Sequence, residues 1–219
     1  MKAKYSIFAF LWSGVAVMLL SACNGIFGDL YDNPESEVVL DYGFLVPATP
    51  STPGTIYIDA TDYTVWTYIN LQDMTTTPLP VDSPEPEHWD IAIHRYDAKT
   101  NGGTVAETGS TGFTALNSFL PVADEAFVAD EWTTTTIITD MSTMMDGYLG
   151  YAESFYNPEL SKWLNVDKSS MPPIYTPSNK VYVVRLADGS QAAIRLDNYM
   201  DASGVKGYMT IQYLYPLNY

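Results

Sequence analysis

The sequence is poor in cysteine, histidine and basic residues. Its 219 residues include one Cys, two His, and 10 Lys or Arg against 26 Asp or Glu, so the formal net charge is −16. One cysteine excludes a disulfide framework within the chain. The acidic balance excludes nucleic acid and anionic membrane surfaces as electrostatic partners, because both would repel the protein before contact.

Recognisable catalytic motifs are also missing. The sequence has no glycine-rich phosphate loop, no paired-histidine metal motif and no Gly-x-Ser-x-Gly elbow. Carboxylates remain as possible acid and base groups, but no pair stands out from the 26. We therefore expect a protein that is not an enzyme. With 47% hydrophobic residues, the chain has enough apolar surface for a compact domain.

The first 22 residues are predicted to be an export signal. Two lysines precede an apolar stretch at 7–20 that is too short to span a bilayer. The stretch ends in Leu20-Ser21-Ala22-Cys23, which resembles the lipobox of bacterial lipoproteins. That resemblance implies a lipid on Cys23, which would become the new amino terminus. Lipid rather than charge would then hold the protein to a membrane.

Residues 23–54 are predicted to be a lipidated, Pro/Thr-rich tether, followed by one domain at 55–219. Repeated prolines between Pro47 and Gly54 favour an extended spacer. Within this segment, Val38–Leu40 and Phe44–Val46 are candidates for an outer strand.

Beyond residue 54 the apolar residues alternate with period two, which predicts a mostly β, antiparallel fold. Strands are expected at 64–71, 89–95, 181–185, 193–196 and 208–213. Turn sequences at 101–103, 187–190 and 201–207 are expected to join neighbouring strands as hairpins. One or two short helices are expected, at 146–155 and 157–163.

The segment Trp89-Asp-Ile-Ala-Ile-His-Arg-Tyr-Asp97 resembles the signature strand of HmuY-like haem-binding lipoproteins of Bacteroidota. The resemblance extends to residues 65–71, 180–189 and 207–213. It implies an HmuY-like antiparallel β-sheet fold and a surface or periplasmic anchor in the outer membrane. It also implies capture of haem for delivery to a TonB-dependent outer-membrane receptor, and a possible homo-oligomer.

A histidine clamp on the iron does not fit this chain. His88 and His94 lie six apart on one predicted strand, hence about 20 Å apart on the same face. Two axial ligands must face each other across one iron. We expect His94 to be a core residue and His88 to be exposed where a loop passes into the strand.

Methionine is the remaining soft axial ligand. The resemblance implies ligands from two segments between the signature strand and the C-terminal strands, where some HmuY-like proteins carry methionines. This chain has Met144 and Met145 in one segment and Met171 in the other, both otherwise polar. We predict axial ligation by Met145 and Met171, with Met144 as the alternative to Met145. Core packing is the competing interpretation of these methionines.

Neutral sulfur donors favour ferrous iron, so haem is expected to bind more tightly when reduced. Lys162 and Lys168 are the nearest cations for the propionates. Six aromatic residues are candidates for the porphyrin walls, although they would serve equally in a core: Tyr148, Tyr151, Phe155, Tyr156, Trp163 and Tyr175.

A surface glycan-binding protein or adhesin is the alternative function, since exposed Trp and Tyr on a β scaffold also stack on sugar rings. A purely structural subunit of an outer-membrane complex is a third.

Overall fold

The computed structural model describes residues 42–113, 122–170 and 172–217. The predicted signal, Cys23, most of the tether and Met171 lie outside these residues. The described part forms fifteen strands and three short 3₁₀ helices. Strands β1 to β8 are Gly43–Val46, Gly54–Asp59, Val65–Asn70, Thr75–Pro80, Ile91–His94, Asp97–Thr100, Thr104–Glu107 and Val128–Ala129. Strands β9 to β15 are Glu131–Asp140, Gly150–Tyr156, Leu164–Asp167, Ile174–Pro177, Tyr182–Arg185, Gln191–Met200 and Lys206–Leu214.

These strands make two larger sheets and two separate hairpins, and every pairing is antiparallel. One sheet has the order β1-β2-β15-β14-β13-β7-β8, and the other has the order β4-β3-β5-β6. The hairpins are β9–β10 and β11–β12. The mostly β, antiparallel prediction is therefore confirmed.

The main core lies between the two sheets. Its buried residues come from both, for example Ile58 of β2, Ile93 of β5 and Ile211 of β15. The opposite face of the four-stranded sheet carries a second cluster with Trp66, Tyr68 and Trp89, which hairpin β9–β10 covers. Because this sheet is buried on both faces, β5 is apolar almost throughout instead of alternating with exposed polar residues.

The two hairpins join the fold on opposite faces of the four-stranded sheet. Hairpin β9–β10 packs on the Trp66 cluster through Ile137, Ala152 and Tyr156. Hairpin β11–β12 joins the main core through Leu164 and Val166. The turn between β5 and β6 lies in the region between the two hairpins.

The predicted strands at the start and end of the domain are confirmed, but the predicted helix at 146–155 is wrong. A 3₁₀ helix at Met144–Asp146 overlaps only the first residue of that segment, and Gly150–Tyr156 is a strand paired with β9. Two glycines and β-favouring aromatic residues, placed opposite the threonine-rich β9, favour cross-strand pairing over a helix. The other expected helix is reduced to a 3₁₀ turn at Leu160–Trp163.

The predicted hairpins at 187–190 and 201–207 are present, joining β13 to β14 and β14 to β15. The third turn, at 101–103, does not form a hairpin. It connects β6 of the four-stranded sheet to β7 of the seven-stranded sheet. An ideal Cβ at Gly103 would lie 2.6 Å from the carbonyl oxygen of Arg185, so glycine permits a close crossing between sheets there.

Candidate functional site

The first predicted ligand segment is the tip of hairpin β9–β10. Met144 is 36% exposed and Met145 is 88% exposed. The 3₁₀ helix that carries them is closed by the Gly147 amide, which donates to the Met144 carbonyl at 3.0 Å. Gly147 has φ +85°, a conformation that favours glycine, so the Asp146-Gly147 pair does turn the chain. Met145 thus projects from the tip into solvent.

The second predicted segment is the tip of hairpin β11–β12. The last pairing before the tip joins Asp167 to Ile174, so residues 168–173 connect the two strands. Met171 itself lies outside the described residues. The Asp167 carboxylate accepts the Ser169 amide at 2.9 Å, which fixes the start of this turn. Topology thus assigns the two predicted ligand segments to the tips of two different hairpins.

A cleft of about 250 Å³ lies between the bases of these hairpins. One wall is β9, and another is the start of β11. Its floor is the β5–β6 turn, the end of the signature segment. The residues that line it are Tyr63, His94, Arg95, Tyr96, Asp97, Thr135, Thr136, Ile138, Ser161, Leu164, Val166 and Lys168.

Arg95 occupies the turn between β5 and β6 with φ +55°, an uncommon value for a side chain of this size. Its Nη1 donates to the carbonyls of Ala60 and Thr61 at 3.0 and 2.8 Å. The guanidinium also lies over the ring of Tyr63, 4.2 Å from its centroid. An ideal Cβ at Gly207 would lie 2.6 Å from Nη1, so glycine leaves the space that the guanidinium occupies.

The charges around the cleft are unevenly paired. Burial raises the pKa of Asp97 to about 7, although the positive charge of Lys168 acts in the opposite direction. Lys168 makes no hydrogen bond or salt bridge within the described residues. Lys162, by contrast, pairs with Glu159 at 2.5 Å. Lys162 and Lys168 are the two predicted propionate partners. Of these, Lys168 lines the cleft and has no acid bound to it, whereas Lys162 is already paired.

Both histidines lie where the sequence predicted. His94 is 1% exposed, and its Nε2 lies 2.8 Å from the carbonyl oxygen of Tyr63. Burial lowers the pKa of His94, which keeps it neutral. His88 is exposed before β5 begins, beside a separate cleft of about 390 Å³ whose acidic lining includes Asp90 and Asp188. The described residues contain no group of three His, Cys, Asp or Glu arranged to hold a metal ion.

The six aromatic candidates divide into exposed and packed groups. Tyr148, Tyr151 and Phe155 are exposed on hairpin β9–β10. Trp163 is in the main core and donates its indole N–H to the Tyr96 carbonyl at 2.7 Å, so it is not available as a wall. Tyr156 and Tyr175 are partly buried against the two core clusters.

A comparison of the sequence with known protein families identifies the family to which this fold belongs. The HmuY protein family matches residues 62–213, which include both hairpins, the whole four-stranded sheet and the seven-stranded sheet except β1, β2 and the last residue of β15. The chain belongs to the HmuY family. No curated protein shows significant similarity to it.

Solved HmuY-family and related structures share this architecture. An HmuY-like haem-binding protein from Bacteroides vulgatus is 56% identical, with a TM-score of 0.77 and coverage of 82% of this chain and 100% of its own. A lipoprotein from Bacteroides fragilis is 52% identical, with a TM-score of 0.78 and coverage of 84% and 100%. The apo HmuY analogue of Tannerella forsythia is 26% identical, with a TM-score of 0.64 and coverage of 76% and 96%.

Sequence reasoning missed Arg95 and Asp97 as lining residues of this cleft, although both belong to the signature segment. The period-two pattern assigned His94-Arg95 to a continuous strand, whereas the strand ends at His94 and turns at once. A charged pair flanking an aromatic residue at the end of an apolar strand was the available signal. Only the tertiary structure shows that strands β9 and β11, from two different hairpins, line one cleft with it.

Proposed function

We propose that this protein is a haem-binding lipoprotein of the outer membrane, which captures haem and passes it to a TonB-dependent receptor. Membership of the HmuY family supports haem as the ligand, as does 56% identity to an HmuY-like haem-binding protein. The observation that carries the proposal is a methionine, Met145, that is 88% exposed at the tip of a hairpin. Core packing does not account for an exposed thioether.

Met145 and Met171 are the proposed axial ligands, with Met144 as the alternative to Met145. Each member of the pair belongs to a different hairpin, so movement or alignment of the hairpins can present the two sulfurs to opposite faces of a porphyrin. A thioether is a neutral ligand that raises the potential of haem iron. Ferrous haem is therefore the more tightly bound form in this proposal.

A haem titration with and without dithionite tests the ligand set. The reduced sample should show tighter binding and a low-spin, six-coordinate spectrum. Met145→Ala and Met171→Ala should each remove the six-coordinate spectrum, whereas Met74→Ala, at an exposed turn remote in sequence from both hairpins, should not. If Met144→Ala alone removes it, the alternative ligand is correct. Equal spectra in all variants would contradict methionine ligation.

Attachment to the membrane is proposed to occur through a lipid on Cys23. No helix in the part of the chain that the structure describes is long and apolar enough to cross a bilayer. The similarity to a Bacteroides fragilis lipoprotein supports this anchor. Cys23→Ala should move the protein from the membrane fraction to the soluble periplasmic or secreted fraction. Cys23→Ser, which preserves the size of the side chain but also lacks the thiol, should do the same.

Delivery to a receptor is tested by transfer. Holoprotein mixed with membranes that contain a TonB-dependent haem receptor should lose its Soret absorbance to the membranes. Retention of haem in the presence of such membranes would contradict delivery. Size-exclusion chromatography with and without haem would show whether a homo-oligomer forms.

The exposed aromatic pair on hairpin β9–β10 favours glycan binding as a second candidate. Trp132 and Phe155 are opposite each other across the hairpin, with ring centroids 5.1 Å apart, and both are more than half exposed. Such rings stack on sugars. A protein that remains colourless in excess haem but is retained on a glycan array, with retention lost in Trp132→Ala, would favour this function over haem capture.

A further inference from the structure

Lys168 differs from most other cations of this acidic protein. Within the described residues, Lys99, Lys162, Arg185 and Arg195 each form a salt bridge of 2.5–2.9 Å. Lys168 forms none, although its charge acts on Asp97 across the cleft between the hairpin bases. The cleft is therefore a locally cationic position in a chain of net charge −16, which favours an anionic occupant.

Arg95 supplies a second, independent sign of a missing partner. Its Nε is buried and has no hydrogen-bond partner in the described part of the chain, while Nη1 is satisfied by two carbonyls. An unsatisfied buried donor is rare in native proteins and calls for a bound water or ligand. The residue also holds a positive φ, a strain that concentrates at binding sites.

We propose that this cleft is a carboxylate site in which Lys168 binds a propionate group of the captured tetrapyrrole, with Arg95 as the second cation of the lining. This inference rests on the proposed function. The cleft holds about 250 Å³, below the range of roughly 300–1,000 Å³ typical of pockets that enclose a whole ligand. It suits one edge of a porphyrin whose iron lies nearer the tips. Lys168 is three residues before Met171, the proposed axial ligand, which lies outside the described residues.

The proposal makes binding depend on pH through Asp97. Lys168 is the charged group that acts on it. The other titratable or charged groups that line the cleft are Arg95, His94, which is neutral because burial lowers its pKa, and the phenols of Tyr63 and Tyr96. An arriving carboxylate would be repelled by an ionised Asp97, but accepts a hydrogen bond from a protonated one. Burial raises the pKa of Asp97 to about 7. Affinity should therefore rise as the pH falls through this value.

The first test compares ferrous haem with its dimethyl ester, which lacks both negative charges. A charge-assisted contact contributes about a tenfold difference or more in affinity, so wild type should prefer the free acid by that factor. Lys168→Met should abolish the preference, and Lys162→Met, whose lysine is paired with Glu159, should retain it. Equal binding of acid and ester by wild type would overturn the carboxylate site alone. Absence of any Soret change with either compound would overturn haem binding itself.

The second test measures the affinity for the free acid between about pH 6 and pH 8, on either side of the value for Asp97. Wild type should bind more weakly at the higher pH, and Asp97→Asn should be nearly independent of pH at the tighter level. An unchanged pH profile in Asp97→Asn would overturn the role of this carboxyl. The dimethyl ester provides the control, because its binding should be little affected by either change.

Discussion

Met209 and Met145 carry the same side chain but lie in two regions that differ in their exposure to solvent. Met209, on β15, is fully buried between the sheets, whereas Met145 is 88% exposed at the tip of hairpin β9–β10. The sheets bury nearly all of their large apolar residues, and the hairpins present methionine and aromatic residues to solvent. The difference teaches that core packing accounts for Met209 but not for Met145.

The largest expected effect tests this contrast directly. Met209→Ala should lower the free energy of unfolding by about 2–5 kcal/mol, because it leaves a cavity in a close-packed core. Met145→Ala should change it by less than about 0.5 kcal/mol, because its side chain is in solvent. Urea unfolding followed by tryptophan fluorescence measures both. Similar losses in the two variants would show that the tip packs against the domain after all.

The next effect compares two lysines. On the outer face of the four-stranded sheet, buried Lys99 lies 4.5 Å from the ring centroid of Trp66 and 2.5 Å from the Glu85 carboxylate. Glu85→Gln would leave this buried charge without its acid and should cost about 1–3 kcal/mol of unfolding free energy. Lys168→Met, at the exposed hairpin, should cost less than about 0.5 kcal/mol.

A matched control for the first lysine is Lys99→Met, which keeps the apolar stem in the aromatic cage of Trp66, Tyr68 and Trp89. It removes the buried charge, so no cation is left without its acid. Glu85 loses its partner, but it is half exposed and can be solvated. We expect a smaller loss than for Glu85→Gln. The reverse order would mean that the cation–π contacts, rather than the ion pair, dominate this cluster.

Asp97, the first residue of β6, gives the four-stranded sheet a pH dependence of stability. Its pKa is about 7 in the folded protein and near 3.8 when exposed, so the folded state retains a proton that the unfolded state has lost. Stability contributed by this group is thus present below about pH 4 and lost as the pH rises to 7. The stability of Asp97→Asn relative to wild type should therefore increase over that interval in urea titrations. A difference that is constant with pH would contradict the raised pKa.

The smallest effect concerns two glycines with positive φ in open space. Gly147→Ala at the hairpin tip and Gly189→Ala in the β13–β14 turn should each cost about 1 kcal/mol locally, because alanine tolerates this backbone region poorly. Only Gly189→Ala should lower the global free energy of unfolding by that amount. Gly147→Ala should instead increase hydrogen exchange near the tip, because hairpin opening is a local event. Equal global losses would show that the hairpin unfolds together with the sheets.

Much of the fold could be predicted because its strands carry strong local signals. Residues 65–70 and 206–214 alternate apolar and polar or aromatic side chains, and the Asp188-Gly189 turn specifies its hairpin. Strand β9 gave a weaker signal, since its run of four threonines has no apolar alternation. The glycine and aromatic residues of 146–155 are compatible with a short helix when considered alone. Their pairing with β9 identifies the segment as a strand.

The candidate site could be predicted only in part. Exposure of Met145 agrees with a ligand role, but its ligation and that of Met171 stay predictions. The cleft formed by Arg95, Asp97 and Lys168 was not predictable, because it unites a turn at residue 95 with a hairpin some 70 residues later.

The sequence by itself determined the β class of this protein, its HmuY-like signature and the segments that carry the candidate methionines, because these properties are local in the chain. The tertiary structure decided which titratable groups face one another and which are buried. Burial and charge proximity depend on the packing of distant segments, and it is this packing that raises the pKa of Asp97 and leaves Arg95 Nε without a partner.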